Sequence, residues 1–251
     1  MQEVLDGLPG LSHTEDVIPA SRTRGPPGVA TPGAFLFLEA IVNRTAFLVD
    51  GFNLYHSLRE SERDQSRPLR WLDLRALCSS LLHAMPGRCE LVGVVYFTAL
   101  ARHMESSRPG TVARHLRYLD ALQATGVETT LGHFKRRSAR CPICSRSFNR
   151  WEEKQTDVAI ASRLARAASA GAHERLVLMT GDTDLVPAVR EARGTWGANI
   201  GVAFPARRAN AQLRQAADWS INLDAASYAQ HQLPFTLTSP DGRCIERPAE
   251  W

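Results

Sequence analysis

Lysine is nearly missing from this chain: of 30 basic residues only Lys135 and Lys154 are lysines. Arginine suits bidentate phosphate contacts, but codon bias in a GC-rich genome yields the same ratio, so the skew carries little weight. No apolar run approaches the ~20 residues of a membrane-spanning helix. The N-terminus also lacks the basic start and apolar stretch of a secretory signal, so a cytoplasmic location is expected. Cysteine is scarce, five in all with only Cys141 and Cys144 close together, which excludes a disulfide-stapled fold and fits a reducing compartment. No internal repeat or low-complexity tract stands out. What remains is an ordinary composition: 251 residues, 44% hydrophobic and 22% charged, enough chain for one sizeable core or two small ones. The formal charge of +4 leans towards a polyanionic partner.

Prolines 19, 26, 27 and 32 interrupt any period near the start, so residues 1–43 read as a mobile extension. From Arg44 short apolar runs alternate with helical periods. Strands are expected at Ala46–Val49, Leu91–Phe97, Val127–Leu131, Arg175–Met179 and Ala198–Phe204, with an edge strand at Ser220–Leu223. Helices are expected at Leu54–Glu60, Trp71–Met85, Thr111–Ala124, Glu152–Ala170, Leu185–Arg193 and Arg207–Ala216. The third of these carries Val112, Leu116, Leu119 and Leu122 on one side. Strands separated by helices imply a mostly parallel sheet covered on both faces, an α/β three-layer sandwich of Rossmann-like type. One domain is read over 44–224, with residues 132–150 as a Cys-containing insertion. The tail, 225–251, resembles a hairpin around Asp241-Gly242.

The acids fall at informative places. Asp50 closes the first strand, with Gly51 permitting a turn and Asn53 beside it. Asp182 and Asp184 follow Leu176-Val177-Leu178-Met179. In open parallel sheets ligands bind at the carboxyl edge, where strand order reverses. If the first and fourth strands flank that point, acids from segments about 130 residues apart converge. Each alone reads equally as a helix cap, Asn53 for a helix at Leu54 and Asp184 for one at Leu185. The helix read from Glu152 places Glu153, Asp157, Ala161 and Leu164 on one face, which begins acidic and turns apolar. Lys154, on the neighbouring face, is expected to pair with Asp157 or reach a phosphate. Crowded carboxylates raise one another's pKa unless a cation neutralises them. Oxygen-only ligands suit Mg²⁺ or Mn²⁺, and such an ion serves phosphodiester cleavage.

Three ordered blocks carry a resemblance. Val49-Asp50-Gly51-Phe52-Asn53-Leu54, Glu153-Lys154-Gln155-Thr156-Asp157-Val158-Ala159 and Thr180-Gly181-Asp182-Thr183-Asp184-Leu185-Val186-Pro187 resemble the signature of the NYN domain, a branch of the PIN-like nucleases. The likeness covers about Arg44 to Leu223. It implies a PIN-like sandwich and Mg²⁺- or Mn²⁺-dependent cleavage of RNA, leaving a 5′-phosphate and a 3′-hydroxyl. It also implies catalytic and metal-site roles for Asp50, Asn53, Asp157, Asp182 and Asp184, with Glu153 just behind them. One departure is Arg163, where many relatives place an acid.

Nucleic-acid contacts are expected from Lys135, Arg136, Arg137, Arg140, Arg146 and Arg150, a run without an acid in the insertion, and from Lys154, Arg207 and Arg208. Phe134, Phe148 and Trp151 read either as base-stacking rings or as packing for the insertion. Cys141-Pro142-Ile143-Cys144 is half of a zinc site. His133, Cys89 or the pair of a second subunit are the candidates to complete it, and free thiols are the alternative. The expected partner is RNA, single-stranded or structured, with no membrane, and a homo-oligomer is left open. The leading reading is a metal-dependent ribonuclease. A catalytically weak RNA-binding or adaptor module is the alternative, and a phosphatase or a topoisomerase-primase-type site is weaker still.

Overall fold

The computed structural model describes residues 42–251. The extension expected over 1–43 therefore lies outside the described residues except for its last two, and Asn43 already begins the first strand. That strand, β1 (Asn43–Asp50), runs into α1 (Gly51–Gln65), followed by α2 (Leu74–Leu81), β2 (Cys89–Ala99) and α3 (Thr111–Ala124). Next come β3 (Glu128–Arg140), β4 (Ser147–Lys154), α4 (Thr156–Ala170), β5 (Arg175–Met179), α5 (Val186–Trp196) and β6 (Ile200–Phe204). The chain closes with α6 (Ala211–Ala216), β7 (Trp219–Asn222), α7 (Ala225–Gln230), β8 (Thr236–Thr238) and β9 (Cys244–Glu246). None of the described helices is long and apolar enough to cross a membrane.

Seven strands form one sheet in the order β4-β3-β2-β1-β5-β6-β7. All neighbours are parallel except β3 and β4. β1 is the pivot: the chain builds outward through β2 and β3 on one side, then returns to lay β5, β6 and β7 on the other. Strand order reverses between β1 and β5, which pair from Thr45↔Arg175 to Val49↔Met179.

Alternation along β1 sends Phe47 and Val49 into one core and Ala46 and Leu48 into the other. The first core joins Leu54 and Leu58 of α1 to Leu77 of α2, Leu122 of α3 and Tyr228 of α7. The second joins Ile160 and Leu164 of α4 to Val189 of α5 and Leu213 of α6. This is the three-layer α/β sandwich that the alternation of strands and helices implies. The tail hairpin is present as β8 against β9. In α3 the span agrees with the spacing, but the buried residues are Tyr118, Leu119, Ala121 and Leu122, while Leu116 is exposed.

The larger correction concerns residues 132–154. The insertion forms a β-ribbon. β3 runs on to Arg140, turns through the Cys pair and returns as β4, which pairs with it over eight positions from His133↔Lys154 to Arg140↔Ser147. Glu152, Glu153 and Lys154 belong to this ribbon, not to the helix. Gln155 takes a left-handed conformation, φ 78°, and α4 starts only at Thr156. Locally, paired glutamates suit a helix N-terminus; the ladder to β3, which no local pattern reveals, overrides them.

Candidate functional site

Asp50 is the last residue of β1 and shares the parity of Ala46 and Leu48, so its carboxylate faces the α4 layer. It is 4% exposed. It caps α1, its Oδ1 accepting from the amides of Phe52 (3.1 Å) and Asn53 (3.0 Å), and its Oδ2 accepts from the Thr180 hydroxyl at 2.8 Å. Burial pushes its pKa up; the Asn53 amide and the Thr180 hydroxyl pull the other way, and the charge of Asp182 adds to the rise. Asp182 follows β5 and caps the short 3₁₀ turn Thr183–Leu185 by accepting from the Asp184 amide at 3.0 Å. Its own amide donates to Thr180 Oγ1 at 3.0 Å, so one threonine ties the ends of both strands together.

Asp157 comes from the opposite layer. α4 lays Ile160, Leu164 and Ala168 on the sheet, and its first turn overhangs the carboxyl edge, carrying Asp157 to Asp50 and Asp182. One carboxylate oxygen of each of the three lies within 4.8 Å of the others. Asp157 is half-buried, and its pKa is raised to about 6, first by burial and then by the charges of Asp182, Asp50, Glu153 and Asp184. No lysine or arginine forms an ion pair with any of the three among the described residues. Such a donor set, all oxygen and without a protein cation, fits a hard divalent ion.

The other expected site residues take supporting positions. Asn53 does not cap a helix at Leu54; that cap is Asp50. Its side-chain carbonyl instead accepts from the Gly181 amide at 3.0 Å, pinning the loop after β5 to the first turn of α1. Asp184 is exposed and stands outside the trio, and it does not make the helix cap expected of it: Asp182 caps the 3₁₀ turn, and α5 begins after Leu185 without a side-chain cap. Glu153 points back from β4, accepting from the Thr156 amide at 3.1 Å and from the Thr156 hydroxyl. Lys154 pairs with Glu152 at 3.0 Å, not with Asp157. Arg163 makes a bidentate pair with Glu128, 3.0 and 2.8 Å, away from the acids. Sequence reasoning did not single out His56, one turn beyond Asn53 on α1. It lines the acid cleft with Phe52, Asn53, Glu153 and Thr156; the i, i+3 spacing was the available signal.

Gly181 allows a close approach. A Cβ there would overlap the backbone carbonyl oxygen of Arg208, which moves only if the loop after β6 moves. Gly181→Ala is expected to cost about 1–3 kcal/mol of stability and to weaken divalent-ion binding by displacing Asp182. Denaturant melts with and without Mn²⁺ check this, and a variant with wild-type stability and an intact Mn²⁺ effect would refute it.

Of the expected phosphate-binding residues, Lys135, Arg136, Arg137 and Arg140 stand on β3 and Arg150 on β4, with Arg146 just before it, all of them exposed. Arg137 and Arg150 flank Glu152 at 3.5 and 3.8 Å. Arg207 and Arg208 reach the expected edge but are engaged by acids of α1, Arg207 with Asp64 at 2.7 Å and Arg208 with Glu60. Phe134 packs inward, 5.6 Å from Phe52 and 4.7 Å from His103, whereas Trp151 stacks on His103 at 4.8 Å and stays 42% exposed. Phe148 stays half exposed. At the ribbon tip the amides of Cys144 and Ile143 hold the Cys141 thiol below its usual range. Among the described residues no third ligand joins Cys141 and Cys144; His133 is bonded to Gln155 and Cys89 to Arg175. The half-site is therefore not completed to a zinc site among the described residues.

Beside the acids opens a cavity of about 570 Å³ between α1, β2, α3 and the ribbon. Phe52, His56 and Glu153 line both it and the acid cleft.

Comparison with known proteins gives three findings. The NYN domain family matches residues 44–224. A Pseudomonas putida protein named 6-hydroxy-3-succinoylpyridine 3-monooxygenase HspA is 26% identical over 243 residues, covering 83% of this chain and 75% of that protein. A crystal structure of a Vibrio parahaemolyticus protein of unknown function aligns with TM-score 0.49 and 19% identity, over 76% of this chain and 96% of that one.

Proposed function

We propose that this chain, which belongs to the NYN domain family, is a metal-dependent ribonuclease that hydrolyses RNA phosphodiester bonds. The observation that carries the proposal is the convergence of Asp50, Asp157 and Asp182, from β1, α4 and the loop after β5, with no lysine or arginine paired to them among the described residues. These three residues would hold Mg²⁺ or Mn²⁺. Such an ion, when bound, supplies charge neutralisation at a phosphate and a lowered pKa for a nearby water. Asp157 receives no hydrogen bond from the described residues, and burial and the neighbouring acids push its carboxyl up to about 6, which suits it to orient the attacking water and take its proton. Asn53 acts as a positioning residue through Gly181, and Asp184 lies where it can meet the solvent shell of the site. The ribbon cations would grip the strand. Incubation of end-labelled RNA with Mg²⁺, Mn²⁺ or EDTA tests the proposal: cleavage in both metals and none in EDTA is expected, and cleavage persisting in EDTA rejects it.

Phosphate contacts release counterions, so binding measured without turnover is expected to weaken with salt. Lys135 and Arg136 form no ion pair among the described residues. Changing each to alanine is expected to reduce the slope of log affinity against log salt by about 1. An unchanged slope in the double variant would remove the ribbon from the interface.

A second reading has its own observation. The Pseudomonas putida relative is named as acting on a small heteroaromatic acid, and the cavity beside the acids is of ligand size. Under this reading the chain is a monooxygenase of such an acid. Incubation of that pyridine with the protein, a reductant and ¹⁸O-labelled oxygen, read by mass spectrometry as loss of the pyridine and appearance of the label in a product, separates the two.

A further inference from the structure

Two thiols lie side by side at the tip of the ribbon. Cys144 is exposed and Cys141 half-buried, and the Cys141 sulfur accepts hydrogen bonds from the amides of Cys144 and Ile143 and from the Cys144 thiol. The turn that carries them is held by backbone bonds. The Ser145 amide donates to the Cys141 carbonyl at 2.9 Å and the Cys141 amide to the Arg146 carbonyl at 2.9 Å, while Arg140 Nε donates to the Ser145 carbonyl at 3.0 Å. Ser145 is left-handed, φ 58°. N–H groups aimed at a sulfur stabilise the thiolate, which is the form that ligates a metal. Two thiolates at this spacing supply half of the tetrahedron that Zn²⁺ requires.

The fold keeps the rest of the chain away from that half-site. β3 leaves β2 at Gly132, and from His133 outward its ladder is with β4 alone for eight pairs, on the order of 25 Å of strand. Among the described residues no third ligand joins the pair. Ile143, between the two cysteines, is 94% exposed, an apolar side chain with nothing packed on it. From Lys135 to Arg150 there are six basic residues and no acid, so two bare tips repel. Four thiolates around Zn²⁺ form a doubly negative centre, which those cations offset, so the ion turns a repulsive contact into a favourable one.

We propose that Cys141 and Cys144 bind Zn²⁺ together with the same pair from a second copy of this chain, so that zinc joins two chains through their ribbon tips. Each copy offers the same patch, as a two-fold interface requires, and the two Ile143 side chains cover one another beside the ion. On binding, every thiol still protonated gives its proton to solvent, four S–Zn bonds form and the waters of the ion are released. No group is oxidised or reduced. The inference is independent of the nuclease reading, because it uses none of the acids.

The test uses the full chain, stripped with EDTA, freed of the chelator and kept in a phosphine reductant so that no disulfide links two chains. Zn²⁺ is then added and the mass is read by light scattering. The mass is expected to double at micromolar zinc and to return to that of one chain when EDTA is restored. Co²⁺ in place of zinc counts the thiolates, since sulfur-to-metal absorption arises from thiolates and not from carboxylates; it is expected to saturate at one ion per two chains. Cys141→Ser and Cys144→Ser are each expected to lose both the doubling and the absorption, whereas Cys244→Ser, which removes another exposed thiol, keeps them. Should the tip variants fail to fold, alkylation of the exposed thiols in folded Cys244→Ser protein is expected to give the same loss. A protein that stays a single chain with zinc overturns the inference, as does absorption that saturates at one ion per chain. Doubling that survives in Cys141→Ser, or that needs millimolar zinc, overturns it equally.

Discussion

Asp182→Asn lowers Mn²⁺-dependent cleavage of RNA on the order of 10³-fold, the scale of losing a preorganised charge at a transition state, while RNA binding stays near wild type. The substitution is a clean one. Asp182 uses Oδ1 to accept from the Asp184 amide, a bond that an asparagine carbonyl can also make, so the 3₁₀ turn and the loop to α5 keep their cap. What is lost is one negative charge from a trio whose oxygens lie within 4.8 Å of one another. Asp50→Asn is less selective, because Asp50 accepts from two amides with one oxygen and from Thr180 with the other; an amide group facing Thr180 would disturb both strand ends. Cleavage of labelled RNA, run beside anisotropy in EDTA, reads both quantities. Full activity in Asp182→Asn, or binding lost in step with activity, would sink the assignment. A variant that never differed from a wild type without activity would support the RNA-binding adaptor instead.

The second large effect is on stability. Asp157 has its carboxyl raised from 3.8 to about 6 by burial and by the neighbouring acids. A carboxyl with a raised folded-state pKa favours the fold when protonated. Its contribution is complete below about pH 4 and is lost as the pH rises through about 6. The metal-free protein is therefore expected to become less stable between pH 5 and pH 7. A divalent ion reverses the sign of the local field and displaces the proton, so Mn²⁺ should raise the melting temperature most above pH 6 and progressively less below it. At a hundredfold excess over its dissociation constant the ion adds about 2.7 kcal/mol. Asp157→Asn, which removes the crowded charge, should make the metal-free protein at least as stable as wild type at pH 7.5 and should abolish most of the Mn²⁺ effect. Thermal melts at pH 5 and pH 7.5, with Mn²⁺ and with EDTA, give the answer. An equal Mn²⁺ shift at both pH values would contradict it, as would a full shift in Asp157→Asn.

Much of the frame was legible from residue order alone. The apolar runs that became β1 and β5 and the spacing of α3 are local signals, and local signals survive tertiary packing when the core agrees with them. The three blocks holding Asp50, Asp157 and Asp182 were likewise visible: Asp50 and Asp182 close buried apolar runs and Asp157 opens a helix, and although the strand-end acids read singly as caps, the three occur in order. Other features depended on pairing between distant segments. Glu153 left the expected helix because β3 offered β4 a ladder of eight pairs, a gain that exceeds the local preference of paired glutamates for a helix start. Arg207 and Arg208 looked like free cations until the fold set Asp64 and Glu60 beside them. Which acids meet was decided by the reversal of strand order between β1 and β5, and by α4 crossing above that edge. It selected Asp157 and left Asp184 outside. Sequence thus determined the kinds of donor available and the order in which they occur. Tertiary structure decided their distances, their counter-charges and the cavity beside them, because Coulomb energy and solvent exclusion depend on separation in space and not on separation along the chain.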